Sequence, residues 1–204
     1  MKKNIIKKDK TLLLLIEFEG VPEAQADNLL DEIRYSYLKR LLFEHPATSL
    51  LILSDHRRAN TRIAAILDHL QDSRRTHTHS IVNITPIKTT MEDIYSIADV
   101  QGYNIQNVIV AGCNTTGCVF ESMPYSAVKW AQAGHFVQIV LPMCGDADIH
   151  GIGPEKYIRS FARLYKKIKK ANVFKNVEIV SELHTVLHFN NGVQSNRFDI
   201  EPKI

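Results

Sequence analysis

The chain is short of cysteine, of long apolar runs and of net charge, and each shortage removes a class of protein. Three cysteines in 204 residues give no disulfide framework, and the expected setting is reducing and cytoplasmic. The longest apolar runs, such as "LLLLI" and "VIVAG", fall far below the roughly 20 residues that span a bilayer. A net charge of +3 does not by itself call for nucleic acid or an anionic membrane. The basic opening "MKKNIIKKDK" is not followed by an apolar core and a small-residue cleavage site, so no signal peptide is expected. Internal repeats and low-complexity linkers are absent too.

What remains is the composition of an ordinary globular domain, 45% hydrophobic and 23% charged. At 204 residues the chain reads as one domain, 1–204, with 181–204 as a C-terminal hairpin or tail around an "NNG" turn signal.

Short apolar runs alternate with longer segments of helical period. Strands are expected at 11–18, 49–54, 80–84, 107–112, 136–141 and 176–181. Helices are expected at 23–43, 59–70, 90–102, 126–134 and 154–171, with Gly102 and Gly134 as stops. In the first helix Leu29, Leu30, Ile33, Tyr37 and Leu41 make one stripe; in the last, Tyr157, Phe161, Leu164 and Ile168 do. The alternation predicts an α/β protein: a three-layer αβα sandwich around a six-stranded, mostly parallel sheet.

In such sheets ligands collect at the carboxyl ends of the strands. Three reactive side chains fall there: Glu17 after the first strand, Lys88 after the third and Cys118 after the fourth. A cysteine attacks as thiolate, which a neighbouring cation or a helix N-terminus favours. Lys88 is the candidate cation and Glu17 the candidate proton acceptor and donor. Backbone N–H groups of the turn "CNTTG" could hold a developing oxyanion. Spacing alone does not exclude the plainer reading of Cys118 as a small buried hydrophobe.

The stretch "AGCNTTGCVF" resembles the Gly-x-x-Thr-x-x-Cys-Val signature of the isochorismatase-like cysteine hydrolases, with Gly112, Thr115, Cys118 and Val119 on the four fixed positions. That superfamily includes nicotinamidases and carbamoylsarcosine amidases. "LLLLIEFEG" is similar to its opening strand, and "FVQIVLPMCGD" to a later one that places Cys144 on a family cysteine and His150 just beyond. The resemblance implies the fold already read from the pattern and a triad of Cys118 as nucleophile, Lys88 as cation and Glu17 in place of an aspartate. It further implies a cis peptide between Cys113 and Asn114, aiming the Asn114 and Cys118 N–H groups at the substrate carbonyl. Nicotinamidases carry an Asp-x-His metal motif; here Asp55 and His56 are adjacent, so no such metal site is expected. Pro124 moves the expected start of the regular helix to about Ser122, leaving Cys118 on a loop or single turn.

Other features take plainer readings. His77 and His79 in "THTHS" suit a solvated loop better than a metal site. Cys113 and Cys144 read as buried thiols, and the seven basic residues of 154–171 as mainly a solvated face. The expected function is cysteine-dependent hydrolysis of a small amide or carbamoyl C–N bond through a thioester. No cofactor, membrane or nucleic-acid partner is expected; the family's habit implies a homo-oligomer. The alternative is a catalytically impaired relative that binds small molecules or acts as a scaffold.

Overall fold

The computed structural model describes residues 8–18, 28–44, 50–54, 66, 80–85, 88–100, 102–145 and 154–180. Six strands form one sheet: β1 (Lys8–Ile16), β2 (Leu50–Ser54), β3 (Ser80–Asn83), β4 (Tyr103–Cys113), β5 (Phe136–Gly145) and β6 (Val177–Val180). Their order is β3-β2-β1-β4-β5-β6, and all five pairings are parallel. The expected sandwich is therefore present.

Central strands of a parallel sheet are covered on both faces, so they carry continuous apolar runs rather than alternation. Leu12 to Ile16 of β1 are all 0% exposed, and Val108 to Ala111 of β4 are buried likewise. At the β6 edge only Val177 and Val180 are buried, and Gln138 donates to Glu178 at 2.8 Å across the β5–β6 pair. β5 runs four residues beyond the expected 136–141. Its register against β4 shifts between Val110 and Gly112, around Pro142, then resumes at Gly112↔Cys144 and Cys113↔Gly145. Proline has no N–H to give a ladder, so the break falls there and pairing continues past it.

The described helices are α1 (Asn28–Glu44), α2 (Met91–Val100), α3 (Ala127–Gln132) and α4 (Pro154–Ala171). Right-handed crossovers put α1 on one face and α2, α3 and α4 on the other. Contacts between Tyr95 of α2 and Trp130 of α3, ring centroids 5.3 Å apart, agree. α2 opens with a reciprocal cap: Thr90 N–H donates to Asp93 Oδ2 at 2.8 Å, and Asp93 N–H to Thr90 Oγ1 at 3.2 Å. The backbone bond first, then the side-chain bond, holds the Asp93 carboxyl below its ordinary pKa.

The described part of α1 buries Leu41 of the expected stripe together with neighbours on either side of it. Arg34, Tyr35, Leu38, Leu41 and Leu42 are buried, while Tyr37 is half-buried. The side chains of Leu29, Leu30 and Ile33 lie outside the described residues. Phe18 packs against this face. Tyr35 meets its ring edge-on at 5.5 Å, and the Arg34 guanidinium sits 4.5 Å above it and donates to the Phe18 carbonyl. A buried charge persists only with such partners. The helix at 59–70 and the segment 181–204 fall outside the described residues apart from Ile66, which is helical.

At the amino edge of the sheet, Tyr95 O–H and His135 Nε2 are hydrogen-bonded beside a groove of about 610 Å³. Burial lowers the His135 pKa, against a smaller opposing pull from the Gln106 backbone. The sign follows directly: as pH falls, the unfolded chain takes up this proton before the folded one does. Stability from this site is complete above the ordinary histidine pKa and declines as pH drops through it. Urea midpoints should therefore fall from pH 7.5 to 5.5, and His135→Phe should fall less. Parallel curves for the two proteins would remove His135 from the account.

Candidate active site at the carboxyl edge

The strand order reverses between β1 and β4. Strands run outward from β1 through β2 to β3, and from β4 through β5 to β6. Loops leaving adjacent strands in opposite directions open a crevice at their carboxyl ends, where ligands bind in sheets of this kind. Glu17 is the first residue past β1, and the turn bearing Cys118 begins two residues past β4. Ile16 pairs with Gly112, so the two exits lie side by side. The neighbouring strands are about 4.8 Å apart.

Close approach at this point depends on glycine. A Cβ on Gly112 would stand 1.7 Å from the Ile16 carbonyl oxygen, and its φ of +146° is one that L side chains rarely adopt. Glu17 leaves β1 with φ +46°, the left-handed region, which turns the chain sharply at the strand end. The residue is half-buried, and Arg34 donates to the carbonyl of the next residue, Phe18.

Beyond β4 the chain does not enter an α-helix. Thr115–Ser122 forms a π-helical turn, with Val119 N–H donating to Asn114 O at 3.2 Å in the i→i+5 pattern. Asn114 starts it from φ +56°, ψ +76°, and its Oδ1 accepts from Gly117 N–H at 3.0 Å. A Cβ on Gly117 would lie 2.7 Å from that amide group, so the glycine of "NTTG" makes room for the cap. Thr115, Val119 and Phe120 anchor the turn in the core, and Cys118 is left half-buried among them. Regular helix starts at Ala127, after Pro124, with Ser126 as its N-cap residue. The expected start near Ser122 is thus corrected: Ser122 closes the π turn instead. Cys118 does sit on a separate turn, detached from the α-helix.

No cis peptide bond occurs among the described residues, and the bond between Cys113 and Asn114 is trans. That expectation is corrected. A non-proline cis bond costs about 3–4 kcal/mol, and the left-handed Asn114 reverses the chain without it. Cys113 is buried and Cys144 is 4% exposed; both are thiols, as is Cys118.

Lys88 comes from the segment that follows β3. β3 is three strands from β4, about 14 Å along the sheet at ordinary spacing. Its loop is pinched shut: Thr89 N–H and Oγ1 donate to Thr85 O at 3.1 and 2.9 Å, and Thr85 N–H returns to Thr89 Oγ1 at 3.1 Å. Thr89 is buried by this closure, and Lys88 beside it is exposed. The structure therefore brings the strand exits that lead to Glu17 and to Cys118 side by side, and leaves Lys88, five residues past β3, exposed.

One contact was missed by sequence reasoning. Lys167 of α4 donates to Thr116 O at 2.8 Å and pairs with Glu121, so it grips the π turn at both ends. Its position was informative: 167 falls between Leu164 and Ile168 on the inward stripe, where a lysine needs a partner. Among the described residues no group of three His, Cys, Asp or Glu could hold a metal. Asp55, His56, His77, His79 and His150 lie outside them. No described helix is long and apolar enough to cross a membrane.

No protein-family model matches the sequence, and no curated protein does. Solved structures do. The nicotinamidase SaPncA from Staphylococcus aureus superposes with a TM-score of 0.52 at 10% identity, covering 86% of this chain and 99% of its own. An N-carbamoylsarcosine amidase from Thermoplasma acidophilum gives 0.43 at 11% identity, covering 84% of this chain and 95% of its own. At that identity the first likeness establishes the fold alone, an α/β sandwich shared with that nicotinamidase over most of the chain.

Proposed function

We propose that the chain is a cysteine-dependent hydrolase of a small amide or carbamoyl C–N bond. The observation that supports the reading is that the strands leading to Glu17 and to the Cys118 turn end side by side at the switch point between β1 and β4. A fold shared with a nicotinamidase supports the same reaction class. Glu17 takes the thiol proton, and the Cys118 sulfur adds to the substrate carbonyl carbon. Collapse of the tetrahedral adduct breaks the C–N bond, and Glu17 returns the proton to the departing amine. Water then cleaves the thioester, releasing the acid and the free thiol. Lys88, carried in on its pinched loop, supplies positive charge to the thiolate.

The test is release of ammonia from a panel of small primary amides and carbamoyl compounds. Covalent adducts are followed by intact mass and assigned to a cysteine by peptide mapping. Release with a transient acyl adduct on Cys118 is the expected result; no release and no adduct across the panel would end the proposal. Glu17→Gln keeps the shape and the backbone demand but cannot exchange the proton. It should lower kcat by about 10²–10⁴-fold with unchanged melting. Equal kcat in both proteins would strip Glu17 of this role.

The exposure of Lys88 favours a second reading, a non-catalytic protein that binds small molecules in the same crevice or serves as a scaffold. The pH dependence of Cys118 alkylation separates the two. A thiol titrating near its free value of about 8.5 fits the binder, and a clearly lower one fits the hydrolase.

A further inference from the structure

We propose that Lys167 and Glu121 form a latch that sets the posture and the charge of the Cys118 turn, with Lys167 as a positioning residue. The inference rests on the reading of Cys118 as nucleophile and extends it to a helix on the outer layer. Lys167 Nζ reaches from α4 to the Thr116 carbonyl and to the Glu121 carboxylate. Thr116 lies two residues before Cys118 and Glu121 three after, so one ammonium spans the segment that presents the sulfur. Thr115, Val119 and Phe120 fix the turn from the core side, and Lys167 fixes it from the outer side.

The pair is partly solvated, with side chains 36% and 47% exposed, so as an ion pair it adds little to folding stability. Its consequence is local. A π-helical stretch spaces its bonds i→i+5 and occurs mostly as single turns, frequently at functional sites. The bond to Thr116 O ties the first part of that turn to a rigid helix. The carboxylate of Glu121 meanwhile neutralises the ammonium, so an intact latch contributes almost no net charge beside the sulfur. Breaking it from either side leaves one uncompensated charge near Cys118, and the sign depends on which side is removed.

That difference in sign is the test. The pH profile of Cys118 alkylation by iodoacetamide is measured for the parent, Lys167→Met, Lys167→Arg and Glu121→Gln, with the modified peptide identified by mass. Lys167→Met leaves the Glu121 carboxylate bare and should raise the Cys118 thiol pKa by about half a unit. Glu121→Gln leaves the ammonium bare and should lower it by about the same amount. Lys167→Arg keeps both the charge and a donor and should restore the parent value. A merely structural role would move Lys167→Met and Glu121→Gln in the same direction or not at all, and either result overturns the proposal. Thermal melting accompanies each variant; Glu121→Gln, which keeps the Thr116 bond, decides the sign if Lys167→Met fails to fold.

Thiol titration needs no substrate, so it reads the latch even if no amide is turned over. Turnover with opposite-signed pKa shifts supports both proposals. Turnover without such shifts removes the latch and leaves the hydrolase.

Discussion

Cys118→Ala is expected to reduce amide turnover to that of buffer, a loss on the order of 10⁴-fold or more. Removing a covalent nucleophile takes away the whole two-step route rather than one favourable contact. The remaining crevice still binds, so substrate affinity by calorimetry should stay within about threefold. Cys118→Ser should be nearly as inactive, because a hydroxyl ionises far less readily than a thiol. The other two cysteines give the contrast. Cys113 and Cys144 are buried, so Cys113→Ser and Cys144→Ser each exchange a thiol for a smaller, more polar hydroxyl inside the protein. Their cost should appear as lower melting temperature, with kcat largely kept. Full turnover in Cys118→Ala would move the chemistry elsewhere, whatever the fold.

The strands were legible because a parallel sheet buried on both faces writes itself as uninterrupted apolar runs. "LLLLI" could be little else, and the chain order of strands and helices followed from it. Helices α2 and α4 were legible from period and stops. Long-range partners were not. Nothing local to 28–44 says that Arg34 will be buried against Phe18. Pairing beyond Pro142 was equally hidden, because resumption of the ladder is a property of β4 as much as of β5.

The candidate site divides in the same way. Residue types and their positions at strand ends could be read, since they follow from where apolar runs stop. The backbone between them could not. A π turn has no 3.6-residue signature to find. Its start is specified by Asn114 and Gly117 acting together, a pair that looks like an ordinary polar turn. Lys167 was visible as an inward lysine but looked like one of seven basic residues on a solvated helix.

Gly112→Ala should cost about 2–6 kcal/mol, or leave no soluble folded protein. Two penalties act together. The new Cβ would stand 1.7 Å from Ile16 O and 2.7 Å from Ile16 C, both backbone atoms of a central strand that cannot rotate away. Overpacking of this kind costs about 1–3 kcal/mol or more, and a non-glycine φ in this region adds a similar amount. Set against the 5–15 kcal/mol that holds a typical domain together, the sum is a large fraction of the whole. Gly134→Ala is the control: its φ of +93° carries backbone strain, but nothing lies within 4 Å of its Cβ position. It should lose only about 1–3 kcal/mol. Urea denaturation compares the two, and equal midpoints would mean that β1 and β4 can part without consequence. The expected inequality gives the glycine of "AGCNTTGCVF" a physical role apart from chemistry. It lets the strand ending at Glu17 and the strand leading to Cys118 lie side by side where the sheet changes direction.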